Sequence, residues 1–161
     1  RAAVRDRRVH LALFPEDSQG QKGGSAEAMA ESRSSSTSTS KRFKVEKSEA
    51  EWKKLLGPSK YRIIRQAGTE RPGSSEYDSM CPKDGVFKCA ACDFPLYTAG
   101  SKFKSSCGWP CFDQVVYTKE HGCHVGVQND GAGIEIICNN CGGHLGHVFY
   151  GEGCTSQNER H

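Results

Sequence analysis

The spacing of apolar residues divides the chain into a polar first segment, a short helical stretch and a longer β-rich part. Residues 1–47 hold few apolar positions, and residues 32–40 are all Ser or Thr apart from Arg33. Such a segment buries too little surface to offset the entropy lost on ordering. We therefore expect residues 1–47 to be a disordered leader or linker, and residues 48–161 to form one folded domain.

The folded part is predicted to begin with two short helices. Ser48 and Glu51 match a capping box, which starts a helix, and Gly57-Pro58 both stops that helix and allows a second to begin. Gly68 ends the second helix. The apolar positions expected to face inward are Trp52, Leu55 and Leu56 in the first helix and Tyr61, Ile64 and Ala67 in the second.

From Gly85 onward, short runs of β-branched and aromatic residues alternate with Gly, Asp and Asn, a pattern typical of antiparallel strands joined by turns. The sequence therefore predicts a mainly β (α+β) domain with short N-terminal helices. The predicted strands are Val86–Cys89, Pro95–Tyr97, Phe112–Tyr117, Cys123–Val127, Ile134–Cys138 and Val148–Tyr150.

Charge and hydropathy argue against two classes of partner. Residues 1–47 carry ten Lys or Arg against six Asp or Glu, whereas residues 48–161 carry 12 against 13, a net charge of −1. The folded part also lacks a basic, aromatic stripe, so no nucleic-acid partner is expected. The longest apolar run, residues 9–14, is interrupted by His10 and is far shorter than a membrane-spanning helix. No membrane partner is expected either.

Four cysteines have the spacing of a zinc site. Cys89-Ala-Ala-Cys92 and Cys138-Asn-Asn-Cys141 are two CxxC motifs separated by 45 residues, and each follows a predicted strand. Zinc prefers four thiolates in a tetrahedron, and each CxxC turn supplies two of them. A complete thiolate shell leaves no open position, so the zinc would be structural. The alternatives to a zinc site are two disulfides or four free buried thiols. Thioredoxin-like redox chemistry is a further alternative, but it would explain only one of the two CxxC motifs.

Five more cysteines bring the total to nine, an odd number that does not suit a fully paired secreted framework. Cys107 stands out because Gly108 and Pro110 follow it closely and fix a tight loop. Trp109 in this loop is either a filler of the core or a binding platform. The other four cysteines are Cys81, Cys111, Cys123 and Cys154.

Two histidines, His144 and His147, are interleaved with glycine in the stretch 142–149, which leads into a predicted strand. They are either capping or core histidines whose polar atoms are satisfied, or residues of a pocket. A metal pair is less favoured, since no third ligand is nearby.

Together these motifs resemble those of the B-type peptide methionine sulfoxide reductases, which reduce the R epimer of methionine sulfoxide. The resemblance covers residues 48–161, and its ending is similar to the plant and algal cytosolic branch. The motifs that carry it are GTERPG (68–73), GVFKCAAC (85–92), PLY (95–97), KFKSSCGWP (102–110), CNNCGGHLGHVF (138–149), GEG (151–153) and ERH (159–161).

The resemblance implies two antiparallel β-sheets with helices before them, and a structural zinc held by the four CxxC cysteines. It implies that Trp109 packs against the methyl group of the substrate. His144 and His147 would line the pocket and hydrogen-bond around the sulfoxide oxygen, and Arg160 would stabilise the anion of the nucleophile. Cys107 matches the resolving cysteine of the two-cysteine members.

The chemistry implied by the resemblance begins with attack of a thiolate or selenolate on the sulfoxide sulfur while a donor protonates the oxygen. A resolving thiol then forms a disulfide, which a thioredoxin-type reductant opens. The expected substrates are free methionine sulfoxide or oxidised proteins, as in protein repair under oxidative stress. We expect a cytoplasmic monomer, or a plastid or mitochondrial protein if residues 1–47 act as a transit peptide.

The chain departs from the family at its end. In the family the nucleophilic cysteine or selenocysteine directly follows the pair that here is Arg160-His161, the last two residues. We expect an incomplete C-terminus with selenocysteine as the next residue, and negligible reductase activity for the 161-residue chain. The alternative is a catalytically inactive zinc-binding interaction module on the same fold. Two further departures are Cys111, where the family has Ser or Ala, and Cys154, where it has Phe.

Overall fold

The computed structural model describes residues 43–161, and its first element is a kinked helix. Helix α1 spans Glu49–Arg65, and the predicted capping box between Ser48 and Glu51 is present. Gly57 has φ 69° and ψ 171°, so the helical backbone is interrupted there as the Gly-Pro pair predicts. Most of the leader and transit-peptide prediction concerns residues 1–42, which lie outside the described residues.

The inner face of α1 is only partly as predicted. Trp52, Leu56, Tyr61 and Ile64 are buried, but Leu55 is 57% exposed. The expectation for Ala67 is also wrong: α1 ends at Arg65, and Ala67 is exposed with φ 50°. The helix ends before Gly68, because the chain has already turned away from the helix axis. The amide of Gly68 then donates to the carbonyl of Arg62.

The remaining elements are short, and the prediction of a mainly β domain is confirmed. A four-residue helix, α2, spans Glu76–Ser79, and a 3₁₀ turn spans Ala99–Ser101. The strands are β1 Val86–Lys88, β2 Pro95–Thr98, β3 Lys102–Phe103, β4 Cys111–Phe112, β5 Tyr117–Thr118, β6 Gly122–Cys123, β7 Val125–Asn129, β8 Ile134–Cys138, β9 His144–His147, β10 Phe149–Tyr150 and β11 Glu159–Arg160.

The strands pair antiparallel as one three-stranded sheet, β7-β8-β9, and four two-stranded sheets. This arrangement differs from the two sheets that the resemblance implies. Six of the eleven strands found among residues 43–161 are only two residues long, because turns interrupt them. The predicted strand 112–117 is one such case: it is divided into β4 and β5, with a single bridge from Val115 to Tyr97.

The core lies between α1 and the β elements. Trp52 and Cys138 are 1% and 0% exposed and belong to the same cluster of buried side chains. Arg65 ties the helix to the sheets, since its guanidinium donates to the carbonyl of Cys141 at 3.2 Å and lies 5.3 Å from the ring centroid of Trp52. Ahead of α1, the amide of Val45 donates to the carbonyl of Asn140 at 2.9 Å. No helix among residues 43–161 is long and apolar enough to cross a bilayer.

Candidate functional site

The four CxxC cysteines meet at one point of the core. Their sulfurs all lie within 4.8 Å of one another, and all four are free thiols. Two of the separations join the two motifs: Cys89 to Cys141 and Cys92 to Cys138, each 3.7 Å. Four sulfurs held about 2.3 Å from a central zinc ion would be about 3.8 Å apart. The cluster therefore fits a tetrahedral metal ion, and the alternative of two disulfides is not what the structure shows.

Tight turns aim these sulfurs inward. In the second motif the amide of Gly142 donates to the carbonyl of Cys138, and the amide of Cys138 donates to the carbonyl of Gly143, both at 2.8 Å. A Cβ added at Gly143 would lie 2.8 Å from a methyl carbon of Ile64 and 3.4 Å from the sulfur of Cys141. Glycine at this position therefore lets α1 pack directly against the cysteine cluster.

The thiols perturb one another strongly. Hydrogen bonds from Cys138 and Cys141 lower the pKa of Cys89, whereas hydrogen bonds to Cys138 and Cys89 raise the pKa of Cys141. Several thiolates this close together in a buried place repel one another unless a cation compensates them. The chemistry of the donor set thus agrees with its geometry in favouring a soft cation.

A second group of residues surrounds the loop that carries Trp109. The indole N–H donates to the carbonyl of Glu70 at 3.0 Å, and the amide of Gly73 donates to the carbonyl of Gly108 at 2.7 Å. Gly108 has φ 89°, and a Cβ there would lie 2.9 Å from Pro72. Segment 68–73 therefore holds Gly108 and Trp109 in place. Trp109 is half-buried and lies outside the hydrophobic core, so it is not a filler of the core.

Cys107 and Arg160 belong to this same region. The strand pair that carries Arg160 joins the loop through His161, whose amide donates to the carbonyl of Phe112 at 2.8 Å. The guanidinium of Arg160 also lies 4.2 Å from the ring centroid of Phe149 and donates to the carboxylate of Glu152 at 2.6 and 2.9 Å. Arg160 is thus a fixed cation, and its charge acts on the thiol of Cys107.

The net effect of this environment is a lowered pKa for Cys107. Partial burial raises it, but hydrogen bonds involving Ser105, Trp109 and Cys111 and the charge of Arg160 outweigh that burial. Thiolate, rather than thiol, is the reactive form of cysteine.

We expect alkylation of Cys107 by iodoacetamide to reach its half-maximal rate at a lower pH than alkylation of an ordinary cysteine. Arg160→Met should raise that midpoint, and the matched Arg160→Lys, which keeps the charge, should raise it less. Peptide mapping of the labelled protein across pH measures both midpoints. A wild-type midpoint at or above that of cysteine in an unstructured peptide would contradict the expectation.

His144 and His147 point to the same side of β9. Residues three apart in a regular strand face opposite sides, but the pairing of β8 with β9 shifts between Ile136 and Ile137. The bulge leaves Leu145 as an extra residue, so His144 lies opposite Ile137 and His147 opposite Glu135. The two imidazole rings have their centroids 6.0 Å apart.

Each imidazole is held by a carboxylate. Nδ1 of His144 lies 2.5 Å from Oε1 of Glu135, a buried residue whose other oxygen accepts from Gln128 at 2.7 Å. Nε2 of His147 lies 2.7 Å from the carboxylate of Asp130. The hydrogen bond from His147, together with two backbone amides, lowers the pKa of Asp130 to about 2. Both rings therefore have a fixed orientation, each set by a hydrogen bond to a carboxyl group.

The sequence-predicted residues thus form two adjoining groups. The charge of Arg160 lowers the pKa of Cys107, which lies two residues before Trp109. The histidine strand runs directly into β10, where Phe149 pairs with Arg160. Sequence reasoning missed the carboxylates that hold the cationic and imidazole groups: Glu135, Asp130 and Glu152. A signal existed for Glu135, because it interrupts the apolar strand β8; Asp130 sits in a turn, where Asp is common for other reasons.

Comparison with known proteins gives consistent matches. The family described as "SelR domain" matches residues 56–161. A rice protein named "Peptide methionine sulfoxide reductase B3, chloroplastic" is 50% identical over 119 residues, 73% of this chain and 50% of that protein. "Peptide methionine sulfoxide reductase MsrB" of Agrobacterium fabrum is 44% identical over 106 residues, 66% of this chain and 78% of that protein. An uncharacterized protein of Schizosaccharomyces pombe is 50% identical over 123 residues, 74% and 86% of the two chains.

Proposed function

Because the chain belongs to the SelR-domain family of B-type peptide methionine sulfoxide reductases, we propose that it reduces methionine-R-sulfoxide, free or within proteins, to methionine. The observation that carries the proposal is the histidine pair. Both imidazoles face one side of β9, each is anchored by a carboxylate, and the strand leads directly to Arg160. This is the arrangement that reduction of a sulfoxide needs, since its oxygen leaves only after it is protonated.

Trp109 supplies the contact with the substrate side chain in this proposal. A sulfoxide with a methyl group presents one apolar and one polar end, and a half-buried indole offers an apolar surface for the methyl group. The hydrogen bond from the indole N–H to Glu70 holds that surface in one orientation. The sulfoxide oxygen would then point toward the imidazoles.

Proton transfer falls to His144 and His147. The hydrogen bond to the carboxylate puts a proton on the bound nitrogen of each ring, so the other nitrogen donates a proton to the sulfoxide oxygen only when the ring is an imidazolium. Since Glu135 engages Nδ1 of His144 and Asp130 engages Nε2 of His147, the other nitrogen of each ring is left for the substrate or its water. Imidazoles exchange protons readily near neutral pH.

The nucleophile takes the position that directly follows Arg160-His161 in this family. Its anion attacks the sulfur, one proton is taken up, and the products are methionine and a sulfenic or selenenic acid. The thiol of Cys107 then condenses with that acid, releasing water and forming a disulfide. A thioredoxin-type dithiol reduces the disulfide and completes the cycle. The charge of Arg160 stabilises both the anion of the nucleophile and the thiolate of Cys107.

Zinc is the metal that we propose for the four-cysteine cluster. The donor set is entirely thiolate, and the separations match zinc–sulfur tetrahedra. Cys89, Cys92, Cys138 and Cys141 would hold it with no open position for substrate. Bound there, it would join the two CxxC turns and thereby fix strand β8, which carries Glu135.

The test is a reductase assay on the chain with one cysteine appended after His161, using dithiothreitol as the reductant. We expect methionine formation with that protein and negligible formation with the 161-residue chain as the matched control. His144→Gln in the extended chain should lower the rate about 100-fold or more, the usual contribution of general acid catalysis. Absence of activity from folded, metal-loaded extended protein would favour the alternative of a catalytically inactive interaction module.

Glu135 should act as a positioning residue for His144. We expect Glu135→Gln in the extended chain to lower kcat about 10-fold or more while leaving KM within about twofold, because the substrate contacts remain and only proton transfer suffers. Glu135→Asp should recover part of the loss. The matched control is Glu120→Gln, an exposed carboxylate whose removal should change neither parameter. A rise in KM at constant kcat would contradict this role.

A further inference from the structure

Cys111 is a thiol that the proposed function leaves unused. It begins β4 and is 1% exposed, and its sulfur lies 3.3 Å from that of Cys107. Both sulfurs approach the carbonyl oxygen of Trp109, Cys107 at 3.4 Å and Cys111 at 3.3 Å. A disulfide bond is about 2.05 Å long, so the two atoms need to move only about 1.3 Å closer to bond.

The loop between the two cysteines allows that movement. Cys111 is held in place, because β4 pairs with β3 through the register of Phe103 and Cys111. Cys107 lies in the turn that precedes it, where its amide donates only to the side chain of Ser105 and the next residue is a glycine with φ 89°. Closure of the bond therefore requires a small shift of one loop residue rather than of a strand.

The two thiols are also unequal in a way that sets the order of reaction. Cys107 is partly exposed, whereas Cys111 is enclosed. Burial, followed by the interaction with Cys107, raises the pKa of Cys111, while the pKa of Cys107 is lowered. An external sulfur therefore meets Cys107 first, and Cys111 can reach only the sulfur of Cys107.

We propose that Cys107 and Cys111 are a redox-active dithiol that resolves a disulfide on Cys107 by thiol exchange within the loop. The sulfur of Cys111 gives up its proton and attacks the sulfur of Cys107 in a mixed disulfide Cys107–S–S–R. The Cys107–Cys111 bond forms, the Cys107–S–R bond breaks, and R leaves as a thiolate that takes up the proton. Two electrons pass from the dithiol to the incoming disulfide, whose two halves leave as thiols.

In the reductase cycle, R is the nucleophile, and this part of the inference rests on the proposed function. Transfer of the disulfide to Cys107–Cys111 frees the nucleophile for the next substrate before any external reductant arrives. The reductant then opens a disulfide in the loop instead of one that blocks the pocket.

The experiment uses the 161-residue protein and glutathione disulfide, so it does not depend on methionine sulfoxide reduction. The protein, with its metal bound, is treated with glutathione disulfide and analysed by peptide mass mapping. We expect the wild-type protein to accumulate a Cys107–Cys111 disulfide that leaves no glutathione on either of these two residues. Cys111→Ser and Cys111→Ala should instead hold glutathione on Cys107. Cys123→Ser, which removes an exposed thiol, should form the Cys107–Cys111 disulfide as the wild-type protein does.

Two outcomes would overturn the inference. One is a wild-type protein that keeps glutathione on Cys107 as durably as Cys111→Ser does. The other is a folded wild-type protein that forms no Cys107–Cys111 disulfide at any glutathione ratio. Neither outcome bears on whether the extended chain reduces methionine sulfoxide, so failure of this inference is distinguishable from failure of the proposed function.

Discussion

A Cys138→Ser variant should fail to hold a stable fold at room temperature. Cys138 is fully enclosed and supplies one of four sulfurs that lie within 4.8 Å of one another. Structural zinc contributes on the order of 10 kcal/mol of apparent folding free energy, which is similar to the whole stability of a typical domain. Loss of one thiolate should remove most of that contribution and loosen both CxxC turns together. Thermal unfolding followed by circular dichroism measures the effect.

The matched control is Cys123→Ser, which removes an exposed cysteine outside the cluster and should melt as the wild type does. Elemental analysis should find about one zinc per wild-type chain, and a strong chelator should reproduce the effect of Cys138→Ser. A wild-type protein that contains no zinc, or a Cys138→Ser variant with unchanged melting, would show that the cluster is not a metal site.

Cys107→Ser should abolish repeated turnover in the extended chain while sparing a single turnover. The first chemical step consumes only the nucleophile, whereas its regeneration through a disulfide needs the thiol of Cys107, whose pKa is lowered. Cys111 is enclosed, with 1% of its surface exposed, and so does not replace Cys107 as the first resolving thiol. With thioredoxin as the reductant, we expect one methionine per chain and then a stop.

Rapid-quench measurement of methionine formed per chain, followed by steady-state assay with thioredoxin, separates the two phases. Ser105→Ala is a useful comparison, because it alters the same loop without removing a thiol. Full steady-state turnover by Cys107→Ser would assign the resolving role to another cysteine, and loss of even the first turnover would place Cys107 in the chemical step itself.

The cysteine cluster and the mainly β character could be predicted from the sequence because both depend on local spacing. A CxxC turn fixes two sulfurs within four residues, whatever surrounds it, and a capping box such as Ser48–Glu51 depends only on residues three apart. The kink at Gly57 follows in the same way from one Gly-Pro pair. These features involve contacts that the chain makes with its near neighbours.

The arrangement around the histidines depends on partners distant in the chain and was not predictable in the same way. That His144 and His147 share a face follows from a bulge in the pairing with β8, which the sequence of β9 alone does not reveal. Asp130 lies 17 residues before His147 in the chain, yet their side chains are 2.7 Å apart. Exposure of Leu55 likewise reflects which side of α1 the sheets happen to cover.

The stereochemistry of reduction tests the central claim most directly. The extended chain is given a racemic peptide methionine sulfoxide with excess dithiothreitol, and the remaining substrate is resolved by chiral chromatography. If the site proposed from Trp109, His144 and His147 selects the R epimer, consumption stops at half of the substrate and the remaining substrate is the S epimer. Consumption of both epimers at similar rates, or of neither by folded, metal-loaded protein, would contradict the account.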